Sequence, residues 1–188
     1  MQRFPSRKLP KRAAVLGLVV LAFALSGTSA SAATIVSARD AMEPGLVERI
    51  NDIRAANGLR RLRVAGDLSR AAAKHANSLG SKGYFKHELY TPSRKTTWTP
   101  YGTWIRWYWP GPGYTSWAAG ENLAWGAPDL SSRQAANRWM DSAPHRANIL
   151  TASWRRIGVA AVHVSDPLGY FGSWSDVTIV VAEFGRRS

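Results

Sequence analysis

Leu46, Val47, Ile50 and Ile53 fall on one face at helical spacing. They predict a first helix that begins near Glu43-Pro44 and ends at Asn57-Gly58, where glycine suits the left-handed position after a helix. A second helix is expected from Asp67, as N-cap, to Gly83; its inner stripe is Leu68, Ala71, Ala72, His75, Ala76 and Leu79. A third runs from Ser131 to Ser142, with Ser131 and Gln134 at capping-box spacing and Ala135, Ala136, Trp139 and Met140 as its apolar stripe. Pro144 opens a short fourth helix that reaches Leu150. The period then drops to two. Ile157 to Val164 and Val177 to Phe184 alternate as strands, with Val177, Ile179, Val181 and Glu183 on one face of the second. Helices first and strands last give an α+β order, with helices packed on an antiparallel sheet.

Two stretches break this rhythm. At the start, Arg3, Arg7, Lys8, Lys11 and Arg12 precede the uncharged apolar run Ala13 to Leu25, and Ala30-Ser31-Ala32 supplies small residues for cleavage. That is the pattern of a secretory signal peptide over residues 1–32, and the run is shorter than the roughly 20 residues a membrane span requires. Residues 33–42 show no periodicity and are expected to be a flexible start to the mature chain. From Glu88 to Ala119 no long period holds, yet the stretch contains Trp98, Trp104, Trp107, Trp109 and Trp117 among the nine tryptophans. So many aromatics argue against disorder and for a built loop. Within it, Tyr101 to Trp109 alternates well enough to suggest an extra strand or hairpin arm.

Composition narrows the chemistry. The chain of 188 residues has no cysteine, which excludes a lipoprotein anchor, thiolate metal sites and a cysteine nucleophile. One domain of this size buries a core without disulfides. Losing the five basic residues of the leader takes the formal charge from +13 to +8. A positive balance attracts anionic envelope polymers and lipid headgroups. No nucleic-acid motif is present, and export makes nucleic acid the least favoured partner.

Several motifs, in order, carry a resemblance. Asn51-Asp52-Ile53-Arg54 with Asn57-Gly58-Leu59 and Leu62, then Phe85-Lys86-His87, then Gly120-Glu121-Asn122, then Trp139 to Leu150 (containing Ala143-Pro144-His145-Arg146-Ala147-Asn148) with Ile157-Gly158-Val159, and lastly Phe184-Gly185 are similar to the CAP superfamily. This is the superfamily of cysteine-rich secretory proteins, antigen five and pathogenesis-related proteins, here in its bacterial SCP-like extracellular form. The resemblance covers roughly Glu43 to Gly185. It implies an α-β-α sandwich, a small antiparallel sheet between helical layers, over residues 43–188, with the tryptophan-rich stretch 88–119 as an insertion. It also implies a cavity of two histidines with acidic residues, able to bind a divalent metal in some members. The family's second cavity glutamate has at best Asp141 as its match here.

On that resemblance, His87 and His145 are the candidate metal ligands, for Zn2+ or another divalent metal held weakly, since a catalytic zinc normally has three protein ligands. Glu121 would orient a histidine or, in an enzyme, act as catalytic base. His75, on an alanine-rich helix face, and His163, near a strand end, read as packed structural histidines. Ser116 and Ser142 lie in no Gly-x-Ser-x-Gly elbow, so no serine nucleophile is indicated. Trp104, Trp107 and Trp109 are candidate ligand-binding residues; the alternative is a loop packed over the core. The functional expectation is a secreted, monomeric protein at or near the cell envelope, without a membrane span once mature. It would bind a cell-envelope polymer, a lipid or a small amphipathic ligand. A metal-dependent hydrolase and a cationic interaction protein with a vestigial cavity are the other readings.

Overall fold

The C-terminal alternation builds the centre of the fold. In the computed structural model, which describes residues 34–37, 42–93 and 96–188, β6 (Arg156–Ser165) and β7 (Asp176–Arg187) pair antiparallel along their whole length. The other side of β7 is taken by β5 (Trp117–Gly126), antiparallel, with Glu121 opposite Glu183. β1 (Thr34–Ser37) and the two-residue β2 (Arg63–Val64) both pair with β6, antiparallel and parallel respectively. The order β1-β6-β7-β5 leaves β5 at the sheet's edge.

Strand alternation then sorts the side chains into two cores. Val180, Ala182 and Phe184 of β7, with Ile157, Val159 and Ala161 of β6, pack under α1 (Met42–Ala56), α4 (Ser132–Asp141) and α5 (Ala143–Ile149). Val177, Ile179 and Val181, with Ala160, Val162 and Val164, face α2 (Gly66–Lys82). The sheet thus lies between helical layers, as the resemblance implies. Each large apolar side chain so buried contributes about 1.5–3 kcal/mol. Gly158 lets α2 lie directly on β6: a Cβ there would fall 2.1 Å from the Leu68 backbone. Gly83 ends α2 at φ 63°, in the left-handed region glycine tolerates.

The elements read from the sequence stand with small shifts at their ends. Ser131 and Gln134 form the capping box of α4. Asp67 is not the N-cap of α2: Ala65 holds that position without a side-chain bond, and Asp67 sits in the first turn, where it ion-pairs Arg70 and Arg187. Four differences are larger. Thr34–Ser37, expected within a flexible start, forms β1, because the outer side of β6 offers it unpaired backbone groups. β5 went unread because Gly120, Glu121 and Asn122 hide its alternation. Tyr101–Trp104 is a helical turn, α3, continued by a 3-10 turn at Ile105–Trp107, and not a strand. A short hairpin of β3 (Leu89–Tyr90) and β4 (Trp98–Thr99) precedes it. The expected signal peptide lies outside the described residues. No helix among the described residues is long and apolar enough to cross a membrane.

Candidate functional site

Gly120-Glu121-Asn122 on the edge strand organises the site. Successive strand residues point to opposite faces, so Glu121 faces the α2 layer and Asn122 the α5 layer. The Asn122 side-chain amide donates to the carbonyl of His145 at 3.1 Å, and its Oδ1 accepts from Asn148 at 3.0 Å. Trp154 Nε1 donates to the Asn148 carbonyl at 2.9 Å. Gly120 gives Asn148 its room, since a Cβ there would lie 2.6 Å from Asn148 Oδ1. These bonds fix where α5 starts and so where His145 stands.

On the other face, Glu121 is gripped by two imidazoles. His75 of α2 contacts Oε2 through Nδ1 at 2.5 Å, and His87 contacts Oε1 through Nδ1 at 2.7 Å. A carboxylate can only accept, so in both rings Nδ1 carries the proton. Burial would raise the Glu121 pKa, but the hydrogen bonds from His75 and His87 outweigh it and hold the carboxyl below its ordinary value. Glu183, its cross-strand partner, moves the opposite way. Complete burial, then the adjacent Glu121 charge, push it well above the ordinary carboxylate range. Tyr101 donates its hydroxyl to Glu183 Oε2 at 2.8 Å, and burial followed by the Glu183 charge raises the phenol's own pKa. Trp104 closes the floor, edge-on to His75 with ring centroids 5.0 Å apart, and its Nε1 donates to the His87 carbonyl at 3.0 Å.

His75 Nε2 in this floor is buried without a hydrogen-bond partner among the described residues. His75, Glu121 and Glu183 each offer a ligand atom within 4.8 Å of the others, so this buried group could hold a metal. Above it opens a cleft of about 540 Å3, whose walls include His87, Tyr101, Glu121, Asn122, His145 and Asn148. His145 Nδ1 bonds Ser142 Oγ at 2.8 Å. The two cleft imidazoles are biased oppositely. The Glu121 hydrogen bond raises the pKa of His87, while burial and then the charge of His87 lower that of His145.

His87, Glu121 and His145, far apart in sequence, therefore line one cleft. His75 had read as a packed histidine; it is buried and also holds the central carboxylate. Glu183 and Tyr101 were missed, although a charge in the run Val177, Ile179, Val181, Glu183 on an apolar strand face was a usable signal. Asp141 is exposed on α4 and does not line the cleft. His163 pairs with Asp176 at 3.1 Å, outside the cleft. The tryptophan expectation is corrected for two of three residues. Trp104 and Trp109 are fully buried, Trp109 lying against Gly185 with Nε1 donating to the Ala118 carbonyl, so neither ring face can meet a ligand. Trp107 is 57% exposed.

Comparison with known proteins agrees with this fold. Residues 47–183 match the profile of the CAP, or cysteine-rich secretory protein, family. An uncharacterized protein of Bacillus subtilis, YkwD, is 31% identical over 137 residues, which is 73% of this chain and 48% of that protein. The chain thus spans about half the length of that curated relative. Among solved structures, an outer surface protein from Borrelia burgdorferi superposes with a TM-score of 0.58 at 21% identity, covering 77% of this chain and 92% of that one. An extracellular protein containing a SCP domain from Bacillus anthracis gives 0.54 at 22% identity, covering 77% of this chain and 41% of that one. With the family profile matched across both helical layers and the sheet between them, this chain belongs to the CAP family.

Proposed function

We propose that the chain is an extracellular ligand-binding CAP protein of the cell envelope, whose cleft takes an amphipathic or polymeric ligand beside a weak divalent-metal site at His87 and His145. One observation carries the reading: both imidazoles line the cleft and are oriented through Nδ1, by Glu121 and by Ser142, so that Nε2 is the ring nitrogen each has left for a ligand. This is the support that metal-binding histidines commonly have. Two imidazoles fit a divalent ion that completes its shell with water, and such an ion would polarise a bound oxygen group. The cleft's volume lies within the range of small-molecule sites, and its place at a sheet edge suits a ligand longer than the cleft. Exposed Trp107 is the one member of the expected aromatic set with a ring available to a ligand. Secretion is supported by the charged, apolar and small-residue order at the start of the chain, and by the outer-surface and extracellular relatives.

The rival reading, a metal-dependent hydrolase with Glu121 as base, draws on that carboxylate being held ionised at the cleft. Against it, both Glu121 oxygens are engaged by imidazoles and the side chain is 1% exposed. Zinc titration of the purified chain tests the proposal. Binding should be weak, and H87A and H145A should each abolish it. Uptake that survives the double variant but is lost in His75→Ala would move the metal to the buried group and overturn it. Peptide, ester or peptidoglycan turnover that disappears in Glu121→Gln would establish the hydrolase.

A further inference from the structure

A second feature shares no residue with the cleft. Six arginines, Arg60, Arg61, Arg63, Arg155, Arg156 and Arg187, line a hollow of about 650 Å3 together with Leu62 and Tyr114. Backbone pairing brings them together. The chain leaving α1 turns at Gly58, with φ 68°, and runs through Arg60 to Arg63 into β2. β2 lies parallel to the start of β6 with Arg63 beside Arg156, and Arg156 in turn lies beside Gly185 of β7, which ends in Arg187. Arg155 N–H donates to the Gly185 carbonyl at 3.0 Å. The cluster is thus a fixed product of the sheet's register.

Little among the described residues neutralises it. Asp52 takes Arg61 at 2.8 Å, and Asp67 takes Arg187 at 3.0 Å. Among the described residues, no carboxylate lies within ion-pair distance of Arg60, Arg63, Arg155 or Arg156. Arg155 Nη1 turns to the carbonyls of Ala152 and Trp154 instead. Like charges held in a concavity focus a positive field, and a bound anion relieves it.

The shape indicates what kind of anion. A second hollow of about 400 Å3, lined by Ser153, Arg155, Arg186, Arg187 and Ser188, shares Arg155 and Arg187 with the first. Two basic hollows that share Arg155 and Arg187 as walls set charges side by side along a track, which suits a chain of repeated charges better than one ion. Guanidinium forks approaching from three strands match the tetrahedral oxygens of phosphate. A flat bilayer does not enter a recessed track. A nucleic-acid strand requires ring faces for its bases. The walls hold one aromatic residue, Tyr114, 42% exposed with the Arg187 guanidinium 4.5 Å from its centroid, a single ring where successive bases need several. We propose that this track binds an extended, base-free phosphodiester chain, such as a polyol phosphate, outside the bilayer.

The test is binding of the purified chain to soluble poly(glycerol phosphate), measured by calorimetry across a salt series. R63Q/R156Q should weaken binding roughly tenfold and reduce the salt dependence by about the two charges removed. Zinc uptake at the cleft should be the same in R63Q/R156Q as in the parent, which separates this proposal from the metal reading of the cleft. If R63Q/R156Q fails to fold, R60Q/R186Q, which leaves the β2–β6 register residues in place, takes over the same measurement. Unchanged binding in a folded variant overturns the proposal. So does tighter binding to single-stranded DNA of equal phosphate number, to anionic vesicles, or to polyglutamate of equal charge.

Discussion

At the floor of the cleft, His75 is fully buried and bonds one oxygen of Glu121; at the mouth, His87 bonds the other oxygen and is 54% exposed. The two contacts have the same chemistry and differ in their surroundings. Around His75 lie Trp104, Tyr84 and the apolar face of the sheet, so removing its partner would strand a polar group away from water. Around His87 there is solvent, so loss of its partner leaves the ring hydrated and costs little. Burial thus divides one histidine–carboxylate layer into a rigid base and an adaptable rim. The same division separates the two carboxylates: hydrogen bonds from two imidazoles lower the pKa of Glu121, while burial beside that charge raises that of Glu183.

The strongest attempt to break this division is Glu121→Ala. Leaving a buried imidazole unpaired should cost about 3–5 kcal/mol, read by urea unfolding. A loss below about 1 kcal/mol would mean the floor does not depend on the carboxylate. Trp104→Ala should cost a similar ~3–5 kcal/mol and loosen His87, whose carbonyl it holds, whereas Trp107→Ala should stay within about 0.5 kcal/mol. Equal losses at the two tryptophans would erase the distinction between floor and rim.

A smaller effect sharpens the contrast between the carboxylates. Because the folded pKa of Glu183 is raised, its contribution to stability is fully present below the ordinary 4.5 and is lost as pH rises toward the folded value. Glu183→Gln keeps the shape and an acceptor for Tyr101 but removes that ionisation. Melting curves of the variant should therefore pull ahead of the parent as pH rises above 4.5, by ~2–4 °C per kcal/mol gained. A gap that is the same at every pH would show that Glu183 does not titrate differently in the two states. Smallest of all, His87→Ala should lower stability by about 1 kcal/mol or less, since the ring is half in water. A loss as large as that of Glu121→Ala would place His87 in the floor.

Much of this was legible in the chain itself. Helical periodicity placed α1, α2, α4 and α5 within a residue or two of their ends, and the capping-box spacing of Ser131 and Gln134 marked the start of α4. Runs of β-branched and small apolar residues placed β6 and β7, because strands buried on both faces read as near-continuous apolar runs. The resemblance of the ordered motifs to the CAP family singled out His87, Glu121 and His145; residue type alone left each histidine open to a structural reading. Local pattern failed where a residue's role depends on what faces it. Tyr101 to Trp109 alternates like a strand and coils instead, because burying Trp104 over His75 and Trp109 over Gly185 outweighs local preference.

What the sequence by itself determined was the type and order of the main helices and of the two long C-terminal strands, because these follow from periodicity and residue type over a few neighbours, while His87, Glu121 and His145 were reached through the family resemblance of their motifs. Tertiary structure alone decided that Glu183 stands opposite Glu121, that His75 holds the same carboxylate as His87, and that arginines from three segments share one track. Those facts depend on strand register and on which face of α2 meets the sheet. They fix distances between residues dozens of positions apart, which no local period encodes.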